Sequence, residues 1–163
     1  MRCLLVDVQL AEQCERYDEM KENMKTVVTA QRYLSKEERN LLSVAYKNVV
    51  GARRASWRVL HSFSKSKEEG FDKQRELVDQ YRHSVEAEID EICEEILTLL
   101  EEVLIKHCTV DDQGKPDPQG KTDMEAKVFY LKMMGDYLRY LVRRCHCYWR
   151  AELSLILGVY DSL

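Results

Sequence analysis

Positively charged side chains recur on one side of the segment between residues 35 and 64 with no acidic residue between them. On a helical wheel of about 100° per residue, Lys47, Arg54 and Arg58 fall within roughly 40°, opposite a broad apolar arc. Helices usually offset such repulsion with an acid one turn away. Three cations on neighbouring turns therefore indicate either a solvated face or a site for an anion.

A second polar strip lies between residues 122 and 144, where the wheel is otherwise apolar nearly all round and predicts a largely buried helix. Lys132, Asp136 and Arg139 fall within roughly 60°, with Tyr140 beside them. Asp136 is spaced to pair with either cation, which leaves the strip with a net positive charge.

Two cationic helices packed together would repel each other. If Arg54 and Arg139 approached to about 7 Å, the repulsion would be on the order of 2 kcal/mol at an effective dielectric near 20. A phosphoserine brings about −1.5 to −2 charges and three acceptor oxygens, which suit two guanidinium groups, a lysine and a tyrosine hydroxyl. The spacing leaves a second interpretation open, in which these cations lie on solvated faces and meet acids elsewhere.

The elements that carry these residues follow a helical period almost throughout. Asp18 is a candidate N-cap, and Ser35 with Glu38 and Thr122 with Glu125 form capping boxes. Glycine and proline mark a linker at 107–121. The sequence predicts an all-α, antiparallel helical bundle with helices at 4–15, 18–30, 35–64, 71–106 and 122–144. The fourth predicted helix carries a continuous seam: Val78, Tyr81, Val85, Ile89, Ile92, Ile96, Leu99 and Val103.

Composition limits the classes of function. The chain has 163 residues, and its 29 acidic and 25 basic residues give a formal charge of −4, which argues against nucleic acid as the main partner. No run is long and apolar enough for a membrane helix, and no signal peptide is expected. The six cysteines in a long, helical chain indicate reduced thiols and a cytoplasmic location.

Signs of catalysis are sparse. The sequence contains no phosphate-cradling glycine loop, no zinc-protease motif and no nucleophile elbow, and its histidines are scattered. Cys145, His146 and Cys147 have metal-ligand side chains but no second pair at a useful spacing, so a polar tail is preferred to a zinc site. Arg53 and Arg54 are also compatible with a nuclear-localisation signal, but two basic residues are weak evidence for one. We expect no enzyme, no cofactor and no metal.

Three stretches carry a resemblance to a known family. Residues 40–58, NLLSVAYKNVVGARRASWR, are similar to the signature of the 14-3-3 family. Residues 127–141, KVFYLKMMGDYLRYL, resemble its fifth helix, and residues 10–20, LAEQCERYDEM, resemble its first two. The resemblance runs from about residue 9 to residue 141, some four-fifths of the chain.

The resemblance implies a fold, a ligand and partners. Members of the family are nine-helix, non-enzymatic adaptors that dimerise through their first four helices and bind phosphoserine or phosphothreonine peptides in a groove. Lys47, Arg54, Arg139 and Tyr140 correspond to the phosphate-contacting positions, and Lys132 to a further basic groove position. The corresponding dimer-interface positions are Leu10, Cys14, Arg16, Val59, Tyr81 and Glu88, with an implied ion pair between Arg16 and Glu88 across the dimer.

The family pattern is not evident after Leu141. We therefore expect residues 1–144 to form the N-terminal part of a 14-3-3-like domain and residues 145–163 to form a divergent tail, without the last four helices. The expected function is a phosphopeptide-binding adaptor for phosphorylated client proteins, weakened by truncation. The alternative is a dimerisation partner or modulator of full-length 14-3-3 chains that binds no ligand itself.

Overall fold

A computed structural model describes residues 2–31, 33–64, 72–108 and 124–144, and every regular element in these ranges is helical. The all-α prediction is therefore confirmed for this part of the chain. The helices are α1 (Arg2–Gln13), α2 (Tyr17–Ala30), α3 (Lys36–Ser64), α4 (Asp72–Thr98) and α5 (Met124–Arg144). A π-helical segment, Leu99–Ile105, and a 3₁₀ turn, Lys106–Cys108, extend α4. The predicted capping box at Thr122 and the tail from 145 onward lie outside the described residues.

The start of α3 has the predicted capping box. The backbone N–H of Ser35 donates to Glu38 Oε2 at 2.7 Å, and the backbone N–H of Glu38 donates to Ser35 Oγ at 3.2 Å. Gln31 Nε2 donates to the other carboxylate oxygen at 2.7 Å, which ties the end of α2 to this cap. Two amides of the first turn that lack helical partners are thus satisfied by side chains.

The start of α2 differs from the prediction. The helix begins at Tyr17, and Arg16 occupies the N-cap position without a side-chain cap hydrogen bond. Asp18 lies inside the first turn, where its negative charge favours the helix dipole without capping an amide. The turn before it is closed by Glu15, whose φ of 55° is left-handed, and by a hydrogen bond from Arg16 N to Ala11 O at 2.8 Å.

Contacts between side chains fix the direction of the helices. Along α3, Tyr46, Trp57 and Ser64 bond in turn to Glu95, Glu86 and Asp79 of α4. Partner numbers fall as α3 numbers rise, so α3 and α4 are antiparallel. In contrast, α5 runs parallel to α3, because Lys36 approaches Glu125 near the start of both helices and Arg54 approaches Tyr140 near their ends. The antiparallel bundle is therefore confirmed for successive helices α2, α3 and α4, since Arg53 also reaches back to Asp18.

The predicted α4 seam is buried over most of its length. Val85, Ile89, Ile92, Ile96 and Leu99 belong to one core cluster with α1, α2, α3 and α5. The prediction is wrong at the other end, where Tyr81 is 62 % exposed. Near this end of α4, Ser64 at the end of α3 donates a hydrogen bond to Asp79, whereas the side chain of Tyr81 remains largely in solvent.

Two apolar faces are less buried than the wheels predict. On α3, Leu42, Ala45 and Val49 are buried, whereas Ala52 and Val59 are exposed. On α5, the face carrying Ala126, Tyr130, Met133 and Tyr137 is buried. The expectation that α5 is largely buried is nevertheless wrong, because a second apolar face of this helix has no covering element in the described part of the chain. That face consists of Met124, Val128, Leu131, Leu138 and Val142.

Candidate anion-binding site

Cationic side chains from α3 and α5 meet around the ring of Tyr140. The Cζ atom of Arg54 lies 4.0 Å from the ring centroid and the Cζ atom of Arg139 lies 5.9 Å from it. Both guanidinium groups are within the range of a cation–π contact. The Tyr140 ring thus contacts two positive charges, one from each helix. On α3 itself, no acidic residue lies one turn away from Arg54.

A cavity of about 180 Å³ lies beside this ring. Lys47 of α3 and Lys132 of α5 line it from opposite helices, and Tyr140 forms part of its wall. The remaining lining side chains are Ser43, Phe129, Met133, Asp136 and Tyr137. All five residues predicted for the phosphate site therefore lie along one region between α3 and α5. Arg58, which shares the α3 face, instead donates from Nε to the carbonyl oxygen of Arg54 at 3.3 Å.

One carboxylate moderates the positive charge. Asp136 Oδ1 accepts a hydrogen bond from Arg139 Nη2 at 2.7 Å, at the i, i+3 spacing that the sequence predicts. Both side chains are substantially exposed, so the pair contributes little stability by itself. Four cations against one carboxylate leave the region strongly positive, which suits an anion with several acceptor oxygens.

Tyr137, which lines the cavity, is buried, and so are Tyr46 and Cys93. Burial raises the pKa of Tyr137 and of Tyr46 above the ordinary tyrosine value, so both hydroxyl groups are neutral at physiological pH. Burial also raises the pKa of the Cys93 thiol to about 11, although the charge of Arg54 opposes this shift.

A buried ionic cluster next to this region has no counterpart in the sequence analysis. Glu95 of α4 accepts hydrogen bonds from Lys21 at 3.0 Å, from Lys25, and from the Tyr46 hydroxyl at 2.7 Å. Burial alone would raise the pKa of this carboxyl, but the three hydrogen bonds together lower the pKa below its usual value. The only sequence signal is the i, i+4 spacing of the two lysines, which does not identify the acid.

The neighbouring arginines 53 and 54 make different contacts. Arg53 pairs with Asp18 at 2.8 Å and with Glu88 at 3.3 Å, which links α2, α3 and α4. It borders a larger cavity, of about 530 Å³, whose charged lining is mainly acidic: Asp18, Glu19, Glu22, Glu88, Glu91 and Glu95, with Lys21 and Arg53. This cavity has the wrong sign for an anion, so the smaller one is the better candidate for the predicted ligand.

The residues at the predicted dimer positions lie mostly at the surface. Leu10 is 53 %, Val59 55 % and Tyr81 62 % exposed, and the Cys14 thiol is exposed as well. Arg16 pairs with Glu19 of the same chain, and Glu88 pairs with Arg53 of the same chain. Each member of the ion pair implied across a dimer therefore has an intrachain partner in the single chain.

No group of three histidine, cysteine or acidic residues in the described ranges is arranged to hold a metal ion. No described helix is long and apolar enough to cross a membrane. The Cys145, His146 and Cys147 cluster lies outside these ranges.

The sequence matches known proteins over most of its length. A profile of the 14-3-3 family, described as "14-3-3 protein", matches residues 7–148, which extends beyond Leu141, where the resemblance was predicted to end. The chain is 51 % identical over 139 residues to human "14-3-3 protein eta", covering 85 % of this chain and 52 % of that protein. It is 50 % identical over 138 residues to "14-3-3 protein beta/alpha-1" of Oncorhynchus mykiss, covering 85 % of this chain and 51 % of that protein.

The chain thus spans about half the length of the curated relatives it matches. The members of the matched family are non-enzymatic adaptors. The prediction that the chain is not an enzyme is therefore confirmed. The motifs at residues 40–58 and 127–141, which supply the cations on α3 and α5, lie within the matched range. The profile match covers well over half of the sequence, and the chain belongs to the 14-3-3 family.

Proposed function

We propose that this chain is a phosphoserine- or phosphothreonine-peptide-binding adaptor of the 14-3-3 type. The observation that carries the proposal is the meeting of Arg54 and Arg139 at the Tyr140 ring, next to a cavity lined by Lys47 and Lys132. Two planar guanidinium groups can each donate paired hydrogen bonds to phosphate oxygens, and the lysines add point charges.

The ligand is a dianion on a peptide rather than a free carboxylate. A phosphate monoester carries up to two charges and three acceptor oxygens, whereas one carboxylate leaves most of these donors unused. Asp136 already occupies part of the donor capacity of Arg139. A weakly charged ligand would gain little from displacing that pair, while a dianion gains from all four cations together.

We propose that residues 1–163 by themselves bind such a peptide more weakly than a complete nine-helix member of the family does. By the family resemblance, the last four helices hold the peptide backbone and the side chains that flank the phosphate. A net hydrogen bond to a ligand contributes about 0.5–1.5 kcal/mol. Several such contacts together correspond to about a hundredfold in affinity.

Fluorescence polarisation with a phosphoserine peptide and its unphosphorylated twin tests this function. The phosphorylated peptide should bind, and Arg54→Gln or Lys132→Gln should each weaken its binding about tenfold or more, because each removes a charge-assisted contact. Lys106→Gln is the matched control, since this exposed lysine pairs with Glu102 away from the cavity.

The control variant should bind as the unmodified chain does, which separates a local contact from a general loss of positive charge. Equal binding of both peptides would contradict the proposal. So would a phosphopeptide affinity that Arg54→Gln and Lys132→Gln leave unchanged in chains whose helical circular dichroism is intact.

The exposed apolar residues favour a second candidate function. Leu10, Val59 and Tyr81 would lose their exposed area in a dimer with another 14-3-3 chain, at positions where the family resemblance implies an interface. In this role the chain is a dimerisation partner or modulator that needs no phosphopeptide of its own. Size-exclusion chromatography of a mixture with a full-length relative should then show mixed dimers, and their absence would exclude this role.

We propose a cytoplasmic location, since phosphorylated client proteins and other 14-3-3 chains are the partners that both candidate functions require. Four of the six cysteines are described, and all four are free.

A further inference from the structure

The ring of Tyr140 packs against a second aromatic side chain, Tyr137, which lies three residues earlier in α5. The two ring centroids are 5.7 Å apart, and the ring planes are 86° from parallel. This is the edge-to-face arrangement that pairs of aromatic rings prefer. Tyr140 in turn contacts the guanidinium groups of Arg54 and Arg139. Tyr137 therefore contacts the ring that both cations share, although it is not one of the five predicted site residues.

The core fixes the position of Tyr137. Its side chain is 3 % exposed. Burial is the main cause of the raised pKa of Tyr137, and Cys93 of α4 adds to the increase as a near neighbour. Tyr137 is likewise among the neighbours that raise the pKa of Tyr46 of α3, after burial and two glutamates. Tyr137 thus has neighbours on both α3 and α4, and close packing there leaves its ring little freedom.

The two cations differ in what holds them. Arg139 is tied to Asp136 by a hydrogen bond of 2.7 Å as well as to the Tyr140 ring. Among the described residues, the guanidinium group of Arg54 has no carboxylate partner, and it lies 4.0 Å from the Tyr140 centroid. Because the two guanidinium groups repel each other, the orientation of Arg54 depends on the face of this ring.

We propose that Tyr137 is a positioning residue for phosphopeptide recognition, an inference that rests on the proposed function. Tyr137 fixes the plane of Tyr140, and the face of that ring keeps the guanidinium group of Arg54 near Arg139. The two planar donor groups are then held in place for one phosphate group before a ligand arrives. Fewer side chains have to be ordered on binding, and such preorganisation strengthens the complex.

The ring of Tyr137 carries this role, and the hydroxyl group does not. Tyr137→Leu removes the edge-to-face contact, whereas Tyr137→Phe keeps a six-membered aromatic ring at the same place. The pair of variants therefore separates the position of the Tyr140 ring from any direct contact of the Tyr137 hydroxyl group with a ligand.

Fluorescence polarisation with a phosphoserine peptide tests the proposal, at a temperature where circular dichroism shows each variant to be folded. Tyr137→Leu should weaken binding about three- to tenfold, because the loss of one aromatic pair frees the Tyr140 ring. Tyr137→Phe should rescue most of this loss. Equal losses for the two variants would overturn the proposal, since the hydroxyl group would then be the part that matters.

Tyr130→Leu is the matched control. Tyr130 is also a buried tyrosine of α5, at 2 % exposed, but its edge-to-face contact is with Phe129, at 5.9 Å and 82°. Phe129 lines the cavity without a charge, and the Tyr137 and Tyr140 pair stays intact. Phosphopeptide affinity should therefore stay within about twofold of that of the unmodified chain. A loss as large as that of Tyr137→Leu would overturn the proposal, because any damage to the α5 core would then weaken binding.

Nuclear magnetic resonance of the ligand-free chain gives a result that does not depend on phosphopeptide binding. The side-chain protons next to the Arg54 guanidinium group lie near the Tyr140 ring and should be shifted upfield by its ring current. Arg54→Gln identifies these signals. They should keep their positions in Tyr137→Phe and move downfield in Tyr137→Leu.

Arg54 signals that do not move in Tyr137→Leu would overturn the proposal, whatever the peptide affinities are. Signals that move as expected in a chain that binds no phosphopeptide would contradict the proposed function instead. In that case the shift still supports the positioning of Arg54 by Tyr137.

Discussion

Glu95 joins three helices through one carboxylate. Its oxygens accept hydrogen bonds from Lys21 and Lys25 of α2 and from Tyr46 of α3. The carboxylate is mostly buried and its charge is balanced by the two lysines. Removing the carboxylate takes this acceptor from Lys25 and from the Tyr46 hydroxyl and leaves Lys21 with Glu22, which costs more than the cluster contributes as a whole.

Glu95→Gln should lower the free energy of unfolding by about 2–3 kcal/mol at pH 7, because it removes the charge that the lysines and the tyrosine hydroxyl meet. The pKa of Glu95 is lower in the folded chain than its usual value of 4.5. The stability from its ionised form is therefore fully present above about pH 4.5 and is lost as the pH falls through the folded pKa. The free energy of unfolding of the Glu95→Gln variant should therefore fall less between pH 7 and pH 3 than that of the unmodified chain.

Urea unfolding between pH 7 and pH 3 measures this difference, with Glu94→Gln as the control because Glu94 is the exposed neighbour on the same helix. The control should stay within about 0.5 kcal/mol of the unmodified chain. The free energy of unfolding of Glu95→Gln should approach that of the unmodified chain as the pH falls. If the difference between them stayed constant down to pH 3, the ionised carboxylate would not be the source of the stability.

Single residues were predictable where their partners lie on the same helix. The pair of Asp136 with Arg139 follows from i, i+3 spacing. The sequence analysis considered an approach of Arg54 to Arg139 only on the assumption that α3 and α5 pack, and it did not predict the contact of Arg54 with the Tyr140 ring. The Glu95 cluster was not predictable, because its members come from three helices far apart in sequence. Periodicity identifies which face of a helix is apolar but not which distant face it meets.

At the scale of helices, local signals were accurate where they involve backbone hydrogen bonds. The Ser35 and Glu38 capping box marks the start of α3 in both sequence and structure. Asp18 was a misleading signal, since a residue suited to the N-cap is also suited to the first turn. The π-helical segment Leu99–Ile105 left no trace in the seam of α4, which keeps its three- and four-residue steps there.

Ser35→Ala should destabilise the chain by about 1 kcal/mol, because the amide of Glu38 loses its acceptor at the start of α3. Ser56→Ala is the control, since its hydroxyl only returns to the carbonyl oxygen of Ala52 within the same helix. Chemical denaturation of both variants measures the difference. A smaller loss for Ser35→Ala than for Ser56→Ala would mean that the cap does not limit the stability of α3.

For the whole molecule, the sequence predicted burial too broadly. An apolar wheel position can be covered by this chain, covered by another chain, or left in solvent, and composition does not distinguish these cases. In the described residues, the exposed apolar side chains include one group with Leu10, Val59 and Tyr81 and another on one face of α5, with Met124, Val128, Leu131, Leu138 and Val142. Periodicity identifies these faces as apolar, but it does not indicate which element or which chain covers each of them.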